Sequence, residues 1–296
     1  MKHYDITFVG HMCMDEIVPY EGKTYIAVGS AVLCGAVAAT RIGKKVAVVT
    51  KMSSDDANIL EPMKELGIDV FLVPAAQTTH MRVIHPTADV DVRQMFQEKN
   101  AGFFTIEEMP DIQTKWLHLA GITDREFTFD FIAGLKKKNF HLSTDMQSFV
   151  RQVDPKTREI FFKDVPDKKA IFGLIECIKL DIVEAKILTG MDNLELAAMA
   201  MDEWGCSEIV ITQSEGVLAR VSAVTYYEQF SNSSIVGRTG RGDTTFAAYL
   251  ARRMEYCEAE SLKFAAALVS IKMETPGPFR GTFEDVLARM QQKNNI

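Results

Sequence analysis

The 296-residue chain contains no C-x-x-C pair, and its five cysteines, Cys13, Cys34, Cys177, Cys206 and Cys257, are dispersed and odd in number. That pattern excludes a disulfide or zinc framework and reads as reduced core residues. No apolar run approaches the ~20 residues a membrane span needs; the uncharged stretch from Thr24 to Thr40 is interrupted by Gly29 and Gly35. The opening Ile6-Thr7-Phe8-Val9-Gly10 is too short an apolar run for a secretory signal, so a cytoplasmic protein with no membrane partner is expected. A Lys/Arg stripe is missing too, and with a net charge of −7 nucleic acid is not an expected partner. Three nucleotide or metal signatures fail as well. Gly43-Lys44 is followed by Lys45, which breaks a Walker A loop, and no G-x-G-x-x-G occurs. His80 and His85 lack the i, i+4 spacing of a zinc hydrolase.

What is present is a βα rhythm. Tyr4–Gly10 reads as a strand ending in a turn, and 31–42 as a helix stopped by Gly43. Val46–Val49 is a buried strand, 55–66 a helix ended by Gly67, and 70–73 another strand. After an interruption the alternation resumes with strands at 116–120, 141–145, 177–180 and 208–212, and a helix over 126–138. Later, 262–271 reads as a helix. This alternation predicts a mainly parallel sheet with helices on both faces. The interruption, His80–His85 and Val90–Phe96 around Pro86-Thr87-Ala88-Asp89, alternates polar and apolar residues and predicts a hairpin with one wet face. With extended pieces from Met14 to Ala27 it forms a small β-lid, from about 11–30 and 74–104. One domain, 1–296, is expected. The lid also offers a surface through which two copies could pair as a homodimer.

The most informative segment is Gly240-Arg241-Gly242-Asp243-Thr244-Thr245-Phe246, which runs into the helix-friendly 247–253. A glycine turn opening a helix presents unpaired N–H groups and the positive end of the helix dipole to an anion. Asp243 would repel a bound phosphate there, unless it takes a proton from an attacking hydroxyl. Together they describe a small-molecule kinase site. The competing reading is that Asp243 merely caps the helix.

Along nearly its full length the chain resembles the PfkB/ribokinase-like carbohydrate kinases, whose G-A-G-D turn stands here as Gly240-Arg241-Gly242-Asp243 with Phe246 following. The resemblance implies a three-layer sandwich with a β-lid and ATP-dependent phosphorylation of a hydroxyl on a sugar, polyol or nucleoside. It makes Asp243 the catalytic base and Gly240, Arg241 and Gly242 an anion hole for the transferring phosphoryl group. Arg241 departs from the usual Ala.

Further positions follow from the same resemblance. Asp15, Gly29 and Ser30 match the sugar-binding region, and Arg151, in Asp145-Met146-Gln147-Ser148-Phe149-Val150-Arg151, a substrate or phosphate contact. Cys34 stands where many members carry Asn, which suggests a substrate unlike ribose. Lys179 and Glu184, in Lys179-Leu180-Asp181-Ile182-Val183-Glu184, fit the segment that meets the nucleotide and holds Mg²⁺ through water; Asp181 replaces an Asn. Thr212, Ser214 and Gly216 stand in the nucleotide loop, Ser214 where Gly is usual, and Thr239 lies beside the phosphates. The tail 272–278 falls where members border the adenine. Gly237 occupies the position where potassium-dependent members carry an Asp, so a monovalent-cation site is not implied. A family relative that has lost catalysis and only senses a ligand is the alternative. Retention of Asp243 and both glycines favours the enzyme.

Overall fold

The protein is described here from a computed structural model covering residues 2–89 and 92–293. Nine strands form one sheet in the order Val224–Gln229, Gly216–Val221, Glu208–Thr212, Cys177–Asp181, Leu142–Asp145, Ile112–Leu119, Lys2–Val9, Val46–Met52, Asp69–Pro74. The seven from Glu208–Thr212 onward run parallel, and the first two turn back as an antiparallel meander. Parallel strands need covered faces, and the sequence supplies them by alternation. Ile6, Phe8, Val46 and Val48 point into one core, with the helices Ala31–Arg41, Arg241–Arg253, Glu258–Met273 and Phe283–Lys293 packed over it. Val9, Val49, Leu117 and Leu119 point into the other, beneath Phe129–Lys137, Ile182–Thr189 and Leu194–Asp202.

Four strands form the lid, in the order Tyr25–Gly29, Cys13–Val18, Thr79–Ile84, Gln94–Lys99. Its strands come from two excursions between main-sheet elements, in the regions the alternating pattern indicates. The hairpin register differs from the sequence expectation. Ile84 pairs with Gln94, so the connection is longer than Pro86–Asp89; Val90 and Asp91, expected in its second strand, lie outside the described residues. A buried post joins lid to body. Glu126, fully buried, accepts from His11 N at 2.9 Å, while the His11 ring bonds Thr79 and the carbonyl of Gly102.

Other differences are local. Residues 54–60 form a 3₁₀ turn before a short α-helix, Glu61–Glu65, because Pro62 sits in the first α turn. The helix expected from 126 starts at Phe129, after the Thr128 cap, since Glu126 is held in the post. A small hairpin, Arg151–Val153 with Ile160–Phe162, was not foreseen; it abuts the lid, with Gln97 N donating to Arg158 O at 2.9 Å. Four cysteines are buried as expected, but Cys257 is exposed.

Candidate active site

The carboxyl ends of the parallel strands carry Asp145, Asp181 and Thr212, each the last residue of its strand. Ligands collect at such ends in open α/β sheets. Opposite them starts the helix Arg241–Arg253, anchored by Phe246, Tyr249 and Leu250, all fully buried; truncating an anchor such as Phe246 would cost ~3–5 kcal/mol. The first turn of this helix is therefore fixed relative to the strand ends.

Local backbone chemistry explains both glycines. Gly240 has φ +77°, the left-handed region glycine tolerates, and a Cβ there would lie 2.4 Å from Cys34 Sγ. A Cβ on Gly242 would lie 2.6 Å from Lys179 Nζ. The N–H groups of Gly240, Gly242 and Asp243 meet no acceptor among the described residues. Of the three N–H groups expected to form an anion hole, that of Arg241 is occupied, donating to Arg238 O at 3.0 Å, whereas that of Asp243 has no acceptor among the described residues.

The cap reading of Asp243 does not survive the geometry. The N-cap is Gly240, which makes no side-chain cap bond, and Asp243 sits inside the first turn. Its carboxylate accepts no hydrogen bond among the described residues. Lys179, Arg151, Lys272 and the neutral Cys34 lie within its electrostatic reach, and so does the carboxylate of Asp145, which Lys179 pairs.

Beneath the turn, Lys179 Nζ bonds Asp145 Oδ2 at 2.7 Å, both side chains almost wholly buried. Burial opposes the lysine's charge, but Asp145, Glu184, Asp243 and Asp181 outweigh it and hold the ammonium protonated. Lys179 thus supports the turn from below, behind Gly242, as part of an ion pair. Glu184 is fully buried and closes a capping box: it accepts from Asp181 N at 2.8 Å, and Glu184 N donates to Asp181 Oδ1 at 2.8 Å. Burial, with the Asp181 charge next, pushes its pKa up to about 8. Arg151 reaches its other oxygen at 3.4 Å and leaves a buried Nε without a partner.

Two further arginines converge here that sequence reasoning did not select. Arg93, at the entry to a lid strand, faces Arg151, Asp181 and Glu184. Arg238 lies against Arg241, whose side chain turns inward toward Asp181 and Glu215. No local signal marks Arg93; only the lid's placement over the sheet brings it to the site.

On the lid side, Asp15 lies within Cys13–Val18, its Oδ1 accepting from Cys13 Sγ at 3.2 Å, and burial raises its pKa. Gly29 makes room for it: a Cβ would lie 2.6 Å from Asp15 Oδ2. Ser30 caps the helix Ala31–Arg41, accepting from Leu33 N at 3.0 Å, so its hydroxyl serves the fold. Cys34 lies between Asp15 and Asp243, and burial pushes its thiol up to about 12, leaving it neutral. The Gln213–Gly216 turn closes on itself through Gln213 N to Gly216 O, with Ser214 Oγ donating to Glu215 and Tyr227 Oη packed where a Gly216 Cβ would be. Gly216 therefore has a packing reason of its own. Thr212 Oγ1 lies close to Gly242, and exposed Thr239 precedes the turn.

A free carboxylate beside open N–H donors, under a β-lid at the strand ends, forms a candidate active site on a ribokinase-type sandwich. The chain belongs to the pfkB family of carbohydrate kinases, whose model matches residues 5–282. It is 25% identical over 265 residues to a cytidine kinase of Thermococcus kodakarensis, covering 86% of this chain and 91% of that protein. Among solved structures, a pyrophosphate-dependent kinase of the ribokinase family in complex with a pyrophosphate analog and myo-inositol superposes with TM-score 0.87 at 31% identity, covering 96% and 99% of the two chains. Arabidopsis thaliana ribokinase with ribose and ATP superposes at TM-score 0.77 and 17% identity, covering 98% and 99%.

Proposed function

We propose that this kinase transfers a phosphoryl group from pyrophosphate to a hydroxyl of a cyclic polyol such as an inositol. The observation that carries the transfer is the unpartnered Asp243 carboxylate beside the open N–H groups of Gly240, Gly242 and Asp243. The acceptor hydroxyl gives its proton to Asp243 as its oxygen bonds the transferring phosphorus, and phosphate leaves. The free N–H groups and Lys179 receive the developing charge. Asp15, from the lid, accepts hydrogen bonds from neighbouring hydroxyls of the acceptor.

The donor is argued from charge. Arg93, Arg151, Arg238 and Arg241 gather where the leaving group would lie, although the chain as a whole is acidic. A guanidinium fork suits a small, fully charged anion that brings no base to stack. The 31% identity to a kinase solved with a pyrophosphate analog supports the same choice. ATP, the donor expected from the sequence, is favoured by one observation: Ile235 and Val236 are exposed beside the turn, an apolar rim against which a base could rest.

Among the described residues, no group of three or more His, Cys, Asp or Glu could grip a metal ion. Asp181 keeps one carboxylate oxygen outside the capping box, next to the phosphate region, while Glu184, buried with both oxygens bonded, fixes that carboxylate; this fits a Mg²⁺ held mainly by water and donor oxygens. Such an ion would neutralise charge on the donor. Tyr25, Ile26 and Val28, exposed on the lid's edge strand, support pairing of two copies through the lid.

The test is ³¹P NMR of the purified protein with Mg²⁺, offered pyrophosphate or ATP and myo-inositol, ribose or cytidine in turn. Phosphate and an inositol phosphomonoester from pyrophosphate are expected. Turnover with ATP alone would overturn the donor, and no phosphoester from any pair would overturn the reaction.

A further inference from the structure

Lys272 lies in the last turn of the helix Glu258–Met273 and is 1% exposed. Its Nζ donates to the carbonyl oxygens of Gly237 and Thr239, and no carboxylate forms an ion pair with it among the described residues. A buried amine on two backbone oxygens is coordinated as a monovalent metal cation would be. The helix end adds its own negative dipole. The loop is clamped to that end: Gly237 N donates to Met273 O at 2.8 Å, and a Cβ on Gly237 would fall 1.9 Å from Thr275 O.

The consequence lies in the next peptide. Thr239 C=O and Gly240 N–H belong to one planar trans unit and point in opposite directions. Drawing the carbonyl toward Lys272 turns the Gly240 N–H the other way, into the turn where it meets no acceptor among the described residues. A positive group on that oxygen also polarises the N–H, strengthening it as a donor.

We propose that Lys272 acts as a built-in monovalent cation, a positioning residue that holds the Thr239–Gly240 peptide with its N–H toward the transferring phosphoryl group, so that turnover needs no added potassium. The inference rests on the reading of this turn as the phosphoryl site.

Wild-type enzyme assayed at constant ionic strength in potassium, sodium or tetramethylammonium chloride is expected to turn over equally fast. Lys272→Ala opens a carbonyl-lined space; kcat should fall up to ~10²-fold with acceptor KM little changed, as when an oxyanion donor is weakened. Potassium or ammonium should restore part of that loss, and tetramethylammonium none. The same small cations should raise the Tm of Lys272→Ala but not of wild type, because an ion held only by the native state stabilises it. Lys272→Met fills the space with an apolar chain and should lose activity without rescue.

Strong potassium stimulation of the wild type would overturn the proposal, as would wild-type turnover by Lys272→Ala. So would an Ala variant whose rate and Tm no cation moves. If neither variant folds, the wild-type salt comparison decides alone. If the wild type uses no donor, the proposed function fails while the Tm comparison still judges Lys272.

Discussion

Asp243 and Glu184 are both acidic residues in the first turn of a helix, yet their surroundings give them opposite tasks. Glu184 is spent on a capping box, whereas Asp243 is left without a hydrogen bond. Asp243→Asn should therefore lower kcat by ~10²–10⁴-fold, with donor affinity and Tm nearly unchanged; steady-state kinetics and calorimetry on one preparation check it. A folded variant turning over at wild-type speed would end the general-base assignment. Asp15→Ala should raise KM for the acceptor well before KM for the donor, and equal effects on both would make Asp15 structural. The Glu184 carboxyl gives a pH signature. Its folded pKa of about 8 lies above its unfolded value, so between the two the native state binds more protons and stability falls as pH rises. Glu184→Gln should flatten that decline between roughly pH 5 and 8, read as Tm against pH; an unchanged slope would show that another group sets it.

Among the elements, the helix Arg241–Arg253 is placed by its apolar face but tuned by what approaches its start. Lys179, from the strand Cys177–Asp181, occupies the space a side chain on Gly242 would need. Gly242→Ala must push the ammonium off Asp145 or shift the helix, so a stability loss of ~1–3 kcal/mol is expected, together with a drop in kcat. Urea denaturation and activity measured side by side check it, and a variant as stable and as fast as wild type would show that the pair has room to move. The strand Cys13–Val18 shows the same dependence in the lid: Asp15 has its burial only because Gly29 on the paired strand lacks a side chain.

At the scale of the molecule, the lid covers the strand ends on one side and shows an apolar edge on the other. Tyr25 and Ile26 are 55% and 56% exposed on an unpaired edge strand, a surface natural proteins seldom leave open. If two copies pair there, Ile26→Glu should yield a monomer by sedimentation while the monomer's melting transition persists. A wild-type monomer would remove the pairing. No helix among the described residues is long and apolar enough to cross a membrane.

The residue order by itself determined the layered sheet, because strand and helix periods, with glycine stops at Gly43 and Gly67, are local properties. It also marked the turn proposed for phosphoryl transfer, since Gly240, Gly242 and Asp243 adjoin in the chain and their spacing is the signal. It placed the lid for the same reason: two-residue alternation survives wherever the strand ends up. It could not show that Arg241 spends its N–H on Arg238, that Ser30 and Gly216 have work in the fold itself, or that residues 151–162 form a hairpin. Arg93 was beyond it altogether, and Lys272, read only as the start of a tail bordering the adenine, was not linked to the turn whose carbonyls it holds. Each comes from a segment far in sequence from the turn, and their charges converge only when the lid closes over the sheet and the helix Glu258–Met273 docks against the turn. Tertiary packing decided those positions because burial and charge at a site are summed over every element that meets there, and no single stretch of chain carries that sum.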